Sequence, residues 1–163
     1  MRIIEYNNNY KEDVKDLLVE LEEYILSIDE DELDQLHQEY RDKMFELDLK
    51  EVEENNGKTF IAIDENNKAI GLIMGIIRKY DEFDYLDYKC PKSGEITELI
   101  VSKSGRKSGI GKELMKVMEA YFKTLKCEYI YVDVFAYNKN AYEFYKKDGF
   151  HSRMYNMIKK ISD

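Results

Sequence analysis

The junction Arg106-Lys107-Ser108-Gly109-Ile110-Gly111 constrains this chain more than any other stretch, because the hydrophobic period changes across it. Residues 95 to 101 alternate with a period of two, as a strand requires. Ile96, Glu98 and Ile100 fall on one side, and Thr97, Leu99 and Val101 on the other. Beyond the junction, Ile110, Leu114, Val117, Met118, Tyr121, Phe122 and Leu125 recur at helical spacing with charged residues between them. The stretch therefore reads as strand, glycine-rich turn and helix start. Its two glycines leave backbone bare, and the first turn of a helix carries four N–H groups with no partner inside the helix. Such a turn suits an anion of phosphate type.

A length of 163 residues suits one domain with a full core, so residues 1–163 are expected to form a single domain. The longest apolar run, Ala69 to Ile77, falls far short of the roughly 20 residues that span a bilayer. The first residues contain no apolar signal core, and a cytoplasmic location is expected. Cys90, Cys127, His37 and His151 have no spacing that resembles a structural zinc site, so no metal is expected. The net charge of −9 is unevenly spread. Residues 1 to 54 hold 6 basic and 19 acidic side chains, and residues 103 to 126 hold 7 basic and 2 acidic ones. The acidic total disfavours nucleic acid, whose phosphates dominate its affinity for proteins. A compact anion at residues 103 to 112 and a cationic small partner for the acidic part both remain allowed.

In chain order, Ile3-Ile4 predicts a short strand, residues 11 to 28 a helix and residues 31 to 54 a second helix through Leu33, Leu36, Tyr40, Met44 and Leu47. Thr59–Ile63 and Ala69–Arg78 predict an antiparallel pair closed by Asp64 to Lys68. Residues 80 to 94 mix acids with aromatics, follow no period and read as a loop. Then come the strand before the junction, the helix at 109 to 125, a strand at Tyr129 to Phe135 and a short helix at Asn138 to Lys147 stopped by Gly149. A parallel strand pair joined by a helix is the natural reading of that order. Phe150 to Ile161 is expected to supply a last hairpin or strand.

Two familiar phosphate loops fail at the junction. A nucleoside-triphosphate loop ending at Gly111-Lys112 would need glycine at 106 and Ser or Thr at 113, where Arg106 and Glu113 stand. A dinucleotide fingerprint starting at Gly109 would need glycine at 114, where Leu114 stands. What remains is Arg-x-x-Gly-x-Gly opening a helix. It is either a pyrophosphate cradle aided by Lys107 and Lys112 or a tight turn with solvated charges.

The succession of strand Ile96–Val101, Arg106-x-x-Gly109-x-Gly111, amphipathic helix, strand, and Asn138-x-x-Ala141-x-x-x-Tyr145-x-x-x-Gly149-Phe150 resembles the GNAT superfamily of acetyl-CoA-dependent N-acetyltransferases. The match is close over residues 95 to 150. Ser102-Lys103-Ser104-Gly105 stands where that family commonly has a proline. The resemblance implies an α/β fold with a mixed, splayed central sheet flanked by helices, and direct acetyl transfer to a primary amine. It implies that Lys107, Ser108, Gly109, Ile110, Gly111 and Lys112 bind the pyrophosphate of acetyl-CoA, with Arg106 beginning the loop. Ile100 and Val101 would offer main chain to the pantetheine arm, Asn138 would hydrogen-bond the cofactor, and Tyr145 would stand near its sulfur. The implied partner is a small-molecule amine, with no nucleic acid or membrane, and a homodimer is left open. A non-catalytic acyl-CoA sensor, or an acetyltransferase acting on protein Lys or N-termini, are the alternatives.

Acetyl transfer to an amine sets two proton problems. An alkyl ammonium of pKa about 10.4 must lose a proton, and a departing thiolate, of pKa about 8.5 for a free thiol, gains one. Glu98 is the candidate base, acting through water, because partial burial on its strand would raise its pKa; a structural ion pair is its plainer role. Tyr145 is the candidate hydrogen-bond donor to the leaving sulfur, its plainer role being a core aromatic.

Overall fold

The β-branched, alternating segments become β1 (Arg2–Glu5), β2 (Lys58–Ile63), β3 (Ala69–Ile77), β4 (Ser93–Val101) and β5 (Tyr129–Val132) of one mixed sheet in the computed structural model. Their order across the sheet is β1-β2-β3-β4-β5. The first four are antiparallel to their neighbours, and β5 runs parallel to β4. The structure describes residues 1–161 and divides into two compact units, Met1–Asp133 and Val134–Asp163.

In the first unit, α1 (Lys11–Leu26) and α2 (Tyr40–Glu54) cover one face of the sheet and α4 (Ile110–Thr124) covers the other; a single turn, α3 (Asp84–Asp87), lies between β3 and β4. Val14, Leu17 and Leu18 of α1 and Phe45 and Val52 of α2 close on Ile61, Ile63, Leu72, Met74 and Ile100 of the sheet. Burying apolar surface of this extent is the main force holding the layers together. On the outer side the two helices are clasped by ions, Lys15 Nζ to Asp42 Oδ1 at 2.5 Å and Arg41 to Asp16 at 2.7 Å. On the opposite face α4 approaches closely because Gly94 lacks a side chain. A Cβ there would lie 2.5 Å from the Phe122 ring. Among the described residues no helix is long and apolar enough to cross a membrane.

Three expected boundaries and one expected apolar stripe change. The second helix begins at Tyr40, and residues 29 to 39 are irregular. There the Asp29 carboxylate accepts the N–H groups of Asp31, Leu33 and Asp34 at 3.0, 2.6 and 2.9 Å, offering the backbone an alternative to helical bonds. The inward stripe of α2 also differs from the expected one. It runs through Phe45 and Val52, whereas Leu47 is 58% exposed. β4 starts at Ser93, and the aromatic loop before it is packed, with Tyr80 against Tyr85 and Tyr88 and its hydroxyl donating to the Pro91 carbonyl at 2.9 Å. β5 ends at Val132 instead of Phe135, because its partner β4 is paired with it only from Ser93 to Ile96.

In the second unit, α5 (Lys139–Lys147) is capped by Asn138 and followed by Gly149 at φ +98°, a left-handed stop. The expected strand or hairpin over 150 to 161 is absent, and Met154, Tyr155, Met157, Ile158 and Ile161 are exposed. Its apolar residues come in adjacent pairs, which a strand would send to opposite faces, so no single face forms.

Candidate functional site

A β-bulge in β4 sets the site. Met74 of β3 pairs with Glu98, and the next residue, Gly75, pairs with Ile96, so Thr97 is an extra residue. The bulge overturns the simple alternation expected from sequence. Ile96 turns to the α4 side with Gly75, while Glu98 and Ile100 turn to the α1/α2 side with Met74 and Leu72. Glu98 is thereby placed among carboxylates. Burial, and then the charges of Asp48, Glu22 and Glu51, push its carboxyl up to about 8. Asp48 is pushed up to about 6 by burial and by Glu51. Burial and Asp34 raise Glu22, an effect that the neighbouring Tyr40 hydroxyl opposes. Among the described residues Glu98, Asp48, Glu22 and Glu51 have no ion-pair partner.

Beyond Ile96 the two parallel strands no longer pair, and β4 runs on to Val101 without β5. The Ser102 N–H donates to the Ile70 carbonyl at 3.0 Å, next to the pair Gly71–Val101, which fixes the phase of the β3–β4 ladder. In that phase the main-chain groups of Ile100 point to β3, and those of Leu99 and Val101 point to the open edge. Of the two residues expected to offer main chain, Val101 is thus suitably turned and Ile100 is not. Leu99, which no sequence signal distinguished, takes the second place.

The chain then enters a 3₁₀ turn at Lys103–Gly105, capped by the Ser102 side chain. This capped turn stands where the resemblance led one to expect proline. Arg106, though exposed, clasps the turn. Its Nε donates to the Val101 carbonyl at 3.2 Å, its guanidinium lies 3.6 Å from Glu20 and its Cζ 5.3 Å from the Tyr24 ring centroid. Glu20 also accepts the Lys103 N–H at 2.7 Å, so this one carboxylate of α1 anchors the loop. Sequence reading missed Glu20 because it stands beside the apolar stripe of α1 without interrupting it.

Ser108 Oγ donates to the Gly105 carbonyl at 2.5 Å, which turns that side chain inward. Lys107 and Gly109 both adopt positive φ, +64° and +85°. The first helical bond of α4 runs from the Glu113 N–H to the Gly109 carbonyl at 3.2 Å, leaving the N–H groups of Ile110, Gly111 and Lys112 ahead of it. A Cβ on Gly109 would meet nothing within 4 Å, so the space before these donors is clear. Lys107 and Lys112 are exposed beside it, and Glu113 is drawn along the helix to Lys116 at 2.6 Å. A pyrophosphate fits this end: bare N–H groups, a helix dipole and two lysines all favour negative charge.

Asn138 and Tyr145 belong to the second unit. Asn138 Oδ1 accepts the Ala141 N–H at 3.1 Å, so its carbonyl end serves as the helix cap. Tyr145 is 7% exposed, with its ring edge-on to Phe144 and Phe150.

No curated protein matches the sequence. Similar solved structures include the BH1408 protein from Bacillus halodurans in mutant form, with a TM-score of 0.85 at 19% identity over 99% of this chain and 100% of that one. Glucosamine-6-phosphate N-acetyltransferase from Arabidopsis thaliana gives 0.68 at 19% identity over 99% of this chain and 98% of that one. An aminoglycoside N-acetyltransferase in complex with CoA gives 0.69 at 16% identity over 99% of this chain and 100% of that one. These likenesses concern the fold. The model of the Acetyltransferase (GNAT) family matches residues 24–150, most of the chain. The chain belongs to the GNAT acetyltransferase family, which uses acetyl-CoA.

Proposed function

We propose that this protein moves the acetyl group of acetyl-CoA directly to a primary amine borne by a cationic small molecule. The observation that carries this reading is the join on β4 between a buried carboxyl and a strand edge that β5 leaves unpaired. Glu98, raised to about 8, immediately precedes the turned-out main chain of Leu99 and Val101, which leads into the anion loop. Acetyl-CoA supplies the activated thioester. The N–H groups of residues 107 to 112 hold its pyrophosphate, and the open edge of β4 lines the arm as a further strand would. A main-chain N–H on that edge polarises the acyl oxygen.

Glu98 takes the proton that the ammonium must lose. At about 8 it lies roughly 2 units below an alkyl ammonium, against roughly 6 for an ordinary glutamate, so the transfer is far less uphill. A water between Glu98 and the nitrogen serves equally well as relay. Tyr145 keeps the role implied by family resemblance, donating a hydrogen bond to the departing sulfur as the new C–N bond forms and the C–S bond breaks. An ordinary tyrosine hydroxyl is a weaker acid than a free thiol by roughly 1.5 units, so a hydrogen bond to the thiolate does not require full proton transfer. The neighbours that acetylate glucosamine-6-phosphate and aminoglycosides act on amines, which agrees with this reading without fixing the acceptor.

The test is thiol release from acetyl-CoA across polyamines, aminosugars, amino acids and peptides. Release with a subset of small amines is expected. Tight CoA binding with no release on any amine would make the protein a sensor instead.

A further inference from the structure

The α1/α2 face holds more carboxylates than one proton transfer needs. Asp48 stands in the inward stripe of α2, three residues after Phe45 and four before Val52, which are 4% and 8% exposed. Helical spacing puts an apolar side chain at such a position. Glu22 follows Leu18 by one turn on the buried stripe of α1, and Glu51 precedes Val52 on α2. Across from them is Glu98 on β4. Asp48 Oδ2 is shut off from solvent and has no hydrogen-bond partner. Thr59, only 5% exposed, shares a cross-strand row with Met74 and Glu98, and its Oγ1 has no partner either.

Elsewhere on the same helices Asp42 is matched by Lys15, and Glu12 and Asp16 by Arg41, while the unmatched Glu23, Glu46 and Glu53 are exposed to solvent. Glu22, Asp48, Glu51 and Glu98 are met by no Lys, Arg or His among the described residues. The groups facing Glu98 from the packed elements are Glu22 of α1, Asp48 and Glu51 of α2, and the Tyr40 hydroxyl. The face thus offers hydrogen-bond acceptors in excess and lacks a cation. An ammonium is donor-only, with three N–H groups, and supplies both missing items.

We infer that the acceptor carries two ammonium groups, being an alkyl diamine or polyamine: one nitrogen reacts at Glu98 while Asp48 and Glu22 hold the other. This rests on the amine-acetyltransferase reading given above. A second ammonium beside Asp48 favours its ionised form, so binding near pH 6, where that carboxyl is about half protonated, releases protons to the buffer.

The test is calorimetric titration of the full chain, without acetyl-CoA, with 1,4-diaminobutane and with 4-amino-1-butanol, a ligand of equal length with one ammonium. Measurements at pH 6 in two buffers of different ionisation enthalpy count the protons. The diamine should bind at least about tenfold more tightly, with net proton release, as coupled buried charges allow. In Asp48→Asn that ratio should fall below about threefold, and Glu22→Gln gives a second reading should the first variant not fold. Equal affinities in the parent, or an unchanged ratio in both variants, would overturn the inference. A diamine preference without thiol release from acetyl-CoA would keep the dication site and reject the transferase reading. Thiol release at equal kcat/KM for the two ligands would do the reverse.

Discussion

The two faces of the sheet are built on opposite plans. On the α4 face the sheet is stripped of side chains where Phe122 settles against Gly75 and Gly94, and the helix ends in bare N–H groups at residues 110 to 112. On the α1/α2 face an apolar core is interrupted by Asp48 and Glu22 opposite Glu98. In the proposed reaction one side holds its ligand through main chain and the other through side-chain charge. Substitutions on the first should act through space and be indifferent to pH, while those on the second should act through charge and change with pH.

The largest effect is expected from Gly109→Asp. It puts a carboxylate into the clear space before the α4 donors, and CoA affinity should fall by at least about a hundredfold, read by calorimetry. Because no atom is within 4 Å, the cost to stability should be only the left-handed backbone, about 1 kcal/mol. An unfolded variant would remove the distinction between anion site and structural turn. Next comes Glu98→Gln, which should lower kcat/KM by roughly 10²–10³. The same change should stabilise the fold. Between about pH 4.5 and about 8 the folded chain keeps a proton on Glu98 that the unfolded chain has lost, so stability falls as pH rises through that window. Glutamine has no such slope, and at pH 8 the variant should melt higher by roughly 3 °C or more, with little difference at pH 4.

Gly94→Ala should destabilise by about 1–3 kcal/mol at every pH, since its methyl group meets the Phe122 ring at 2.5 Å. A pH-dependent loss would blur the contrast between the faces. The smallest expected effect is from Tyr145→Phe, about a tenfold drop in kcat with CoA affinity kept, because a lost hydrogen bond to a developing charge is worth about 1.5 kcal/mol. Unchanged kcat would end its role with the sulfur.

The contrast also explains what could be read in the sequence. A main-chain anion site needs glycines at fixed offsets next to a change of period, so the β4, loop and α4 succession and the parallel β5 are legible from residues 95 to 132. The other face is assembled by features that leave no such mark. The bulge at Thr97 reverses the side on which Ile96 lies without any change in residue type. Leu33 and Leu36 look like helix positions, yet the Asp29 carboxylate takes up the N–H groups of their segment. Asp48 reads as an ordinary polar break until Phe45 and Val52 show that it points inward. The clasp of Arg106 to Glu20 joins residues far apart in the chain, which periodicity cannot reveal.

The most direct test of the account is the pH profile of kcat/KM for acetylation of 1,4-diaminobutane, in the parent and in Glu98→Gln. If the amine binds as its ammonium and Glu98 removes the proton, the parent profile should rise to about pH 8 and then level, and the variant should lack that limb. A rate that keeps climbing toward the amine's own pKa of about 10.4, and does so equally in Glu98→Gln, would contradict it.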